Sequence, residues 1–166
     1  MPTKSQIHRK VQILSALVEA RQNILAKVSA LSEAQRDYIF LGIWSIKDLL
    51  AHLAGWDYTN LEAVKEILAA KLPTFYARYD HDWKTYNAML VAKYKPDSFE
   101  ELIALIKRSQ RELIDLLETL PPEAFNKDFG VRFRGNKLTI RRLLEAELKD
   151  EQVHLQQIVD FFKEAK

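Results

Sequence analysis

The 166-residue sequence contains no cysteine, four glycines and five prolines. The absence of cysteine excludes disulfides, thiolate metal sites and a cysteine nucleophile. Scarce glycine and proline favour a helix-rich protein, because these residues interrupt helices more than any others. The sequence also lacks a glycine-rich phosphate loop and a Gly-x-Ser-x-Gly elbow, so it does not indicate the nucleotide-binding or hydrolase sites that need those turns.

Strong net charge and long apolar runs are absent as well. The formal charge is +2, with basic residues scattered among acidic ones, so we expect no nucleic-acid partner. No apolar run approaches the roughly 18 residues of a membrane-spanning helix, and the first ten residues are polar and basic. We therefore expect a cytoplasmic protein without a membrane partner.

The residues that are present predict a single helical domain over residues 1–166. Four segments carry apolar residues at helical spacing, at about 7–31, 45–71, 98–120 and 139–164. The predicted inward stripe of the first segment is Ile7, Val11, Leu14, Val18, Leu25 and Val28.

The boundaries of these segments have recognisable signals. Ser45 and Ser98 stand at N-cap positions, and Pro121 ends the third segment. The second and third segments are separated by about two dozen residues, long for a bundle connection, with a shorter helical pattern at 83–94. The sequence thus predicts an all-α four-helix bundle whose long crossover carries a short helix. Residues 127–137 are predicted as an irregular loop or a small hairpin.

Three residues with metal-ligand chemistry lie on the second and fourth predicted helices. Asp150 and His154 are spaced i,i+4, so one helix face presents both side chains, and they can chelate one divalent ion. His52 would complete a set of two histidines and one carboxylate. The alternative is an exposed ion pair on the fourth helix and an ordinary structural histidine on the second.

The fourth helix also carries further polar residues on the same stripe. The stripe reads Ile140, Leu143, Glu147, Asp150, His154, Gln157 and Phe161. Carboxylates on an inward face are costly unless they are paired or bind metal, although this stripe could also be a solvated edge between two apolar faces. Glu147, Glu151 and Gln157 are the candidates for orienting ligands or accepting a proton; for Glu151 we expect a solvated position.

Four residues are candidates for the wall of a pocket beside His52. Trp56 follows His52 by one helical turn, and Trp44 precedes the second helix. Tyr86 and Asn87 would add a hydroxyl and an amide if the crossover covers the mouth of the bundle. Packing in the core is the alternative role for each of them.

Two sequence segments resemble the DinB/YfiT-like superfamily. Residues 44–56 read WSIKDLLAHLAGW, which is similar to the family segment W-[ST]-x-x-[DE]-L-x-x-H-L-x-x-W. Residues 150–158 read DEQVHLQQI, which resembles the family ending H-x-x-x-H-x-x-Q-I. The resemblance implies a four-helix bundle of up-down-down-up topology with a metal site at one end.

The ligands implied by the resemblance fall on His52, Asp150 and His154, with zinc or nickel as the expected ion. Most family members have histidine at the position of Asp150, while the maleylpyruvate isomerase branch is similar to this chain in having a carboxylate there. The resemblance further implies a small-molecule substrate, with transfer of a low-molecular-weight thiol or hydrolysis as the reaction.

The sequence leaves two alternative functions open besides the metal-dependent enzyme. The ClbS/DfsB branch includes metal-free proteins that neutralise reactive small metabolites, and residues 83–87 resemble an aromatic-asparagine stretch of that branch. A homodimer without catalysis is the third alternative, because exposed apolar faces of small bundles often pair.

Overall fold

The computed structural model describes residues 1–164 and contains seven α-helices within them. They are α1 (Lys4–Ser29), α2 (Glu33–Asp37), α3 (Ile46–Leu68), α4 (Thr74–Tyr79), α5 (Trp83–Tyr94), α6 (Phe99–Thr119) and α7 (Ile140–Glu164). A 3-10 turn, Pro122–Phe125, and a two-stranded ribbon of β1 (Arg132–Phe133) and β2 (Asn136–Lys137) join α6 to α7. The predicted all-α class is confirmed. None of the described helices combines the length and the apolar character needed to cross a membrane.

The four long helices pack as a bundle, with α3 against α6 and α1 against α7. Their starts follow the capping signals in the sequence. The Ser45 hydroxyl accepts a hydrogen bond from the Asp48 amide at 3.3 Å, and the Ser98 hydroxyl accepts one from the Glu101 amide at 3.1 Å. These bonds satisfy amides that have no partner inside the helix and fix where α3 and α6 begin.

The crossover between α3 and α6 is helical and packs on α3. Its second helix, α5, is the predicted short helix, whereas α4 was not predicted. A Cβ on Gly55 would lie 2.8 Å from Cβ of Leu90, so glycine at this point of α3 lets α5 approach closely. The close approach holds the side chains of α5 over the middle of α3.

The face that α1 buries differs from the predicted stripe. Ile7 and Val11 are 45% and 56% exposed, so their assignment to the core was wrong. The buried face is Leu14, Leu17, Ala20, Arg21, Ile24 and Val28. Burial of the apolar side chains of α1 begins only at Leu14.

The apolar core is divided into two clusters along the bundle axis. One contains Leu17, Val64 and Leu113, and the other contains Ile24 and Ile106. Between these levels the long helices bury polar and charged side chains rather than apolar ones. The buried polar layer consists of Arg21, Asp57, Asn60, Ser109, Glu147 and Glu151. It lies next to the three residues predicted to hold metal.

Candidate metal centre and adjoining cavity

The fold brings the three predicted ligands together between α3 and α7. His52 lies on α3, and Asp150 and His154 lie one turn apart on α7. The carboxylate oxygen Oδ2 of Asp150 is 3.6 Å from Nε2 of His52 and 3.3 Å from Nε2 of His154. His52 and His154 are 3% and 7% exposed, while the Asp150 side chain is half exposed. The site is therefore open to solvent only on the Asp150 side.

Both imidazoles direct unpartnered nitrogens into this space. Neither nitrogen of His52, nor Nε2 of His154, has a hydrogen-bond partner among residues 1–164, although all are buried. Two ligand atoms around one tetrahedral zinc ion are about 3.4 Å apart, as expected from metal–ligand distances near 2.1 Å. The observed separations of 3.3 and 3.6 Å match that spacing, so the residues fit a divalent ion.

Gln157 fixes the orientation of the second histidine. Its side-chain oxygen Oε1 lies 2.8 Å from Nδ1 of His154. Because an amide oxygen only accepts hydrogen bonds, Nδ1 carries the proton and donates it. In the neutral imidazole, the lone pair of Nε2 then lies on the side that faces Asp150, the arrangement that a metal-binding histidine requires.

The charges of the three residues influence one another. Burial lowers the pKa of His52, and the neighbouring His154 lowers it further against the raising effect of Asp150. Burial acts to lower the pKa of His154 too, but Asp150, Gln157 and Glu151 outweigh it, and the net effect is a raised pKa. For Asp150, burial opposes ionisation, yet the two histidines hold its pKa well below its ordinary value. His52 and Asp150 thus favour the neutral and the ionised form that metal ligation requires, whereas metal binding would displace the proton that Asp150 favours on His154.

A cavity of about 260 Å³ opens beside the triad. His52, Asp150, Glu147 and Glu151 lie on its polar side. The remainder of its wall is Leu53, Trp56, Asn60, Phe75, Tyr76, Trp83, Asn87, Leu143 and Ala146. The crossover helices α4 and α5 supply aromatic side chains to this wall. A cavity of this volume fits a small molecule rather than a polymer.

The predicted pocket residues take different places around this cavity. Trp56 and Asn87 line it, and the Trp56 indole N–H donates to Asn87 Oδ1 at 2.9 Å. Trp44 packs against His52 at 4.8 Å between ring centroids and lies outside the lining. Tyr86 also lies outside it, with its hydroxyl 2.6 Å from that of Thr59. Hence the indole of Trp56 links the triad to the crossover.

A second charged cluster, which we call the Arg21 network, was not predicted. Arg21 donates two hydrogen bonds to Asp57, at 2.8 and 2.9 Å, and further ones to Glu151. The Ser109 hydroxyl donates to Asp57 at 2.6 Å. Arg21, Asp57 and Glu151 are at most 1% exposed. The expectation that Glu151 is solvated was therefore wrong, because Arg21 from α1 compensates the buried carboxylate.

Glu147 lies between the Arg21 network and the cavity. Its Oε2 atom is buried and has no hydrogen-bond partner among the described residues. Burial and the neighbouring carboxylates of Asp57 and Glu151 raise its pKa well above the ordinary value, against the opposing effect of Arg21. Although Asp57, Glu147 and Glu151 are close enough to share an ion, Arg21 already occupies the oxygens of two of them. The triad is therefore a better candidate for a metal site than this cluster.

The comparisons with known proteins agree with this architecture. The family model described as the DinB superfamily matches residues 16–158. The chain belongs to the DinB superfamily. Among solved structures, an uncharacterised protein from Escherichia coli UTI89 is similar, with a TM-score of 0.72, 16% identity and 94% of each chain covered. At that identity the likeness shows the fold alone. No curated protein matches the sequence significantly. The predicted DinB-like fold is confirmed, and the matched segment contains all three residues of the triad.

Proposed function

We propose that this DinB-superfamily chain is a metal-dependent enzyme in which His52, Asp150 and His154 hold one divalent ion, zinc or nickel. The observation that carries the proposal is the convergence of buried, unpartnered imidazole nitrogens on one carboxylate at the edge of a cavity. A nitrogen lone pair that is buried without a partner is costly, and metal binding removes that cost.

The side chains around the triad have separate tasks in this proposal. Gln157 holds His154 in the tautomer that leaves Nε2 free. Trp44 packs on His52 and limits its rotation. Glu147 lines the cavity beside the triad, so its carboxyl group is the proposed proton donor or acceptor for a bound molecule. Glu151 has a structural role, because Arg21 holds it.

The proposed substrate is a small molecule that enters the cavity. A metal ion with three protein ligands keeps an open position and lowers the pKa of a thiol or water bound there. Transfer of a low-molecular-weight thiol, or hydrolysis, is accordingly the proposed reaction. The predicted homodimer and cytoplasmic location stay predictions.

Thermal melts with added metal test the proposal. A metal that binds only the folded state stabilises it by about 2.7 kcal/mol at one hundred times its dissociation constant. We expect zinc or nickel to raise the Tm of the wild type, and His52→Ala and Asp150→Ala to abolish the rise. His81→Ala is the control, because the His81 side chain is 91% exposed.

Elemental analysis of the purified protein complements the melts. About one equivalent of metal per chain in the wild type, and none in His52→Ala, would support the proposal. No bound metal and no Tm shift with any divalent ion would overturn it in favour of the metal-free protective function.

A further inference from the structure

The cavity beside the triad has an excess of negative charge at its polar side. Three carboxylates line it, those of Glu147, Asp150 and Glu151, and none of the lining residues is lysine or arginine. Asp150 is compensated by the histidines, and Glu151 by Arg21. Glu147 has no such partner.

Glu147 also has the geometry of a ligand-binding group. Its residue exposure is 9%, and Oε2 has no hydrogen-bond partner within the described chain. A buried, unsatisfied carboxylate oxygen costs free energy unless a ligand supplies a donor. Glu147 is part of the wall of the cavity, so a ligand bound there lies beside its side chain.

The lining of the cavity also contains a cluster of aromatic side chains. The rings of Trp56 and Phe75 are 5.3 Å apart, and Trp83 lies 6.1 Å from the former and 5.7 Å from the latter. These three side chains come from α3, α4 and α5, and all of them line the cavity. Such a cluster favours an apolar body and also attracts cations through the ring faces.

We propose that the cavity binds a small amine, whose ammonium group pairs with Glu147 and whose apolar body lies against Trp56, Phe75 and Trp83. This inference rests on the proposed function, because the amine is a substrate only if the triad beside the cavity is catalytic. It names the chemical class of the molecule that the cavity binds. A volume of about 260 Å³ limits the ligand to a small molecule.

The charges around Glu147 support this choice. Asp57 on α3 and Glu151 on α7 repel an ionised Glu147, while Arg21 on α1 attracts it, and burial together with the two carboxylates raises its pKa. Without a nearby cation the ionised form of this carboxyl group is therefore disfavoured. An ammonium group beside the carboxyl group relieves the same repulsion and favours its ionised form.

Isothermal titration calorimetry with three probes of similar shape tests the proposal. The probes are benzylamine, benzyl alcohol and benzoate, titrated into the wild-type protein as purified and after metal removal with a chelator. We expect benzylamine to bind about tenfold more tightly than benzyl alcohol in the metal-free protein, and benzoate not to bind to that preparation. Because the metal-free protein is included, failure of metal binding would leave this result unaffected.

Two variants assign the preference to residues. Glu147→Gln is expected to reduce the preference for the amine to less than about twofold, since the neutral amide cannot pair with an ammonium group. Glu145→Gln is the matched control, because Glu145 lies on the same helix in an exposed pair with Arg141. Trp83→Leu should weaken benzylamine and benzyl alcohol alike and preserve their ratio.

The wild-type titrations decide the charge preference even if Glu147→Gln does not fold, which circular dichroism would show. Equal binding of benzyl alcohol or benzoate to the metal-free protein, no binding of benzylamine to it at millimolar concentration, or an unchanged preference in folded Glu147→Gln would overturn the proposal.

Discussion

Two neighbouring clusters of charged side chains in this bundle differ in how they are satisfied. In the Arg21 network, a guanidinium group donates to both Asp57 and Glu151, and the charges are buried and hydrogen-bonded. In the triad, His52 and His154 approach one carboxylate, but three of their four ring nitrogens make no hydrogen bond among residues 1–164. The helices α3 and α7 contribute to both clusters.

The difference indicates which cluster is structural and which is built for a ligand. A network whose donors and acceptors are matched within the protein stabilises the packing and has little to gain from an added ion. Unmatched buried nitrogens next to a cavity indicate a missing partner. Sequence composition alone would not separate the clusters, because both consist of carboxylates with one or two basic groups.

The largest effect is expected when the Arg21 network loses its cation. Arg21→Met leaves Asp57 and Glu151 buried without compensation, which should reduce the free energy of unfolding by about 3–5 kcal/mol. Urea denaturation measures this loss. The control is Arg141→Met, because the pair of Arg141 with Glu145 is exposed and should contribute no more than about 0.5 kcal/mol. A loss below about 1 kcal/mol for Arg21→Met would show that the network does not carry the stability we assign to it.

A smaller effect is expected when the hydrogen bond between His154 and Gln157 is removed. Gln157→Leu removes the acceptor for Nδ1 of His154, so zinc affinity should fall about 10- to 100-fold. Competition with a fluorescent chelator measures the dissociation constant. Gln156→Leu is the matched control, because Gln156 is exposed and pairs with Asp160 instead. Equal zinc affinity in the two variants would argue against Nε2 of His154 as a ligand.

The smallest effect concerns the pH dependence of stability at Glu147. Its folded-state pKa is raised, so its contribution to stability is complete below the unfolded-state pKa and is lost as the pH rises through the folded-state value. Glu147→Gln cannot ionise, so it should gain stability relative to the wild type between pH 5 and 8, by about 1 kcal/mol or 2–4 °C in Tm. Melts over that pH range measure the gain, with Glu145→Gln as the control. A stability gain of Glu147→Gln that becomes smaller as the pH rises would contradict this prediction.

The triad could be predicted from the sequence because its evidence is local. The i,i+4 spacing of Asp150 and His154 and the family-like segment around His52 are visible without a structure. The helix starts at Ser45 and Ser98 were predicted for the same reason, since a capping signal lies within one turn of the bond that it makes.

The Arg21 network depends on contacts between distant residues. Arg21 and Glu151 are 130 positions apart in the sequence, and neither has a local signal of its partner. A signal was present in the pattern, because Arg21 interrupts the apolar series of Leu17 and Ile24 at the spacing of one helix face. The sequence analysis assigned the buried face of α1 to the stripe through Val18 instead. Because α1 has apolar residues on adjacent faces, only packing against the other helices determines which face is buried.

The central claim, that metal binds at the triad and not at the neighbouring carboxylates, is tested most directly by X-ray absorption at the zinc edge on protein loaded with one equivalent of zinc. We predict two imidazole ligands and oxygen donors around one ion, with the imidazole scattering reduced in His52→Ala. Zinc surrounded only by oxygen, with a spectrum that His52→Ala leaves unchanged, would contradict the claim and place the ion at Asp57, Glu147 and Glu151.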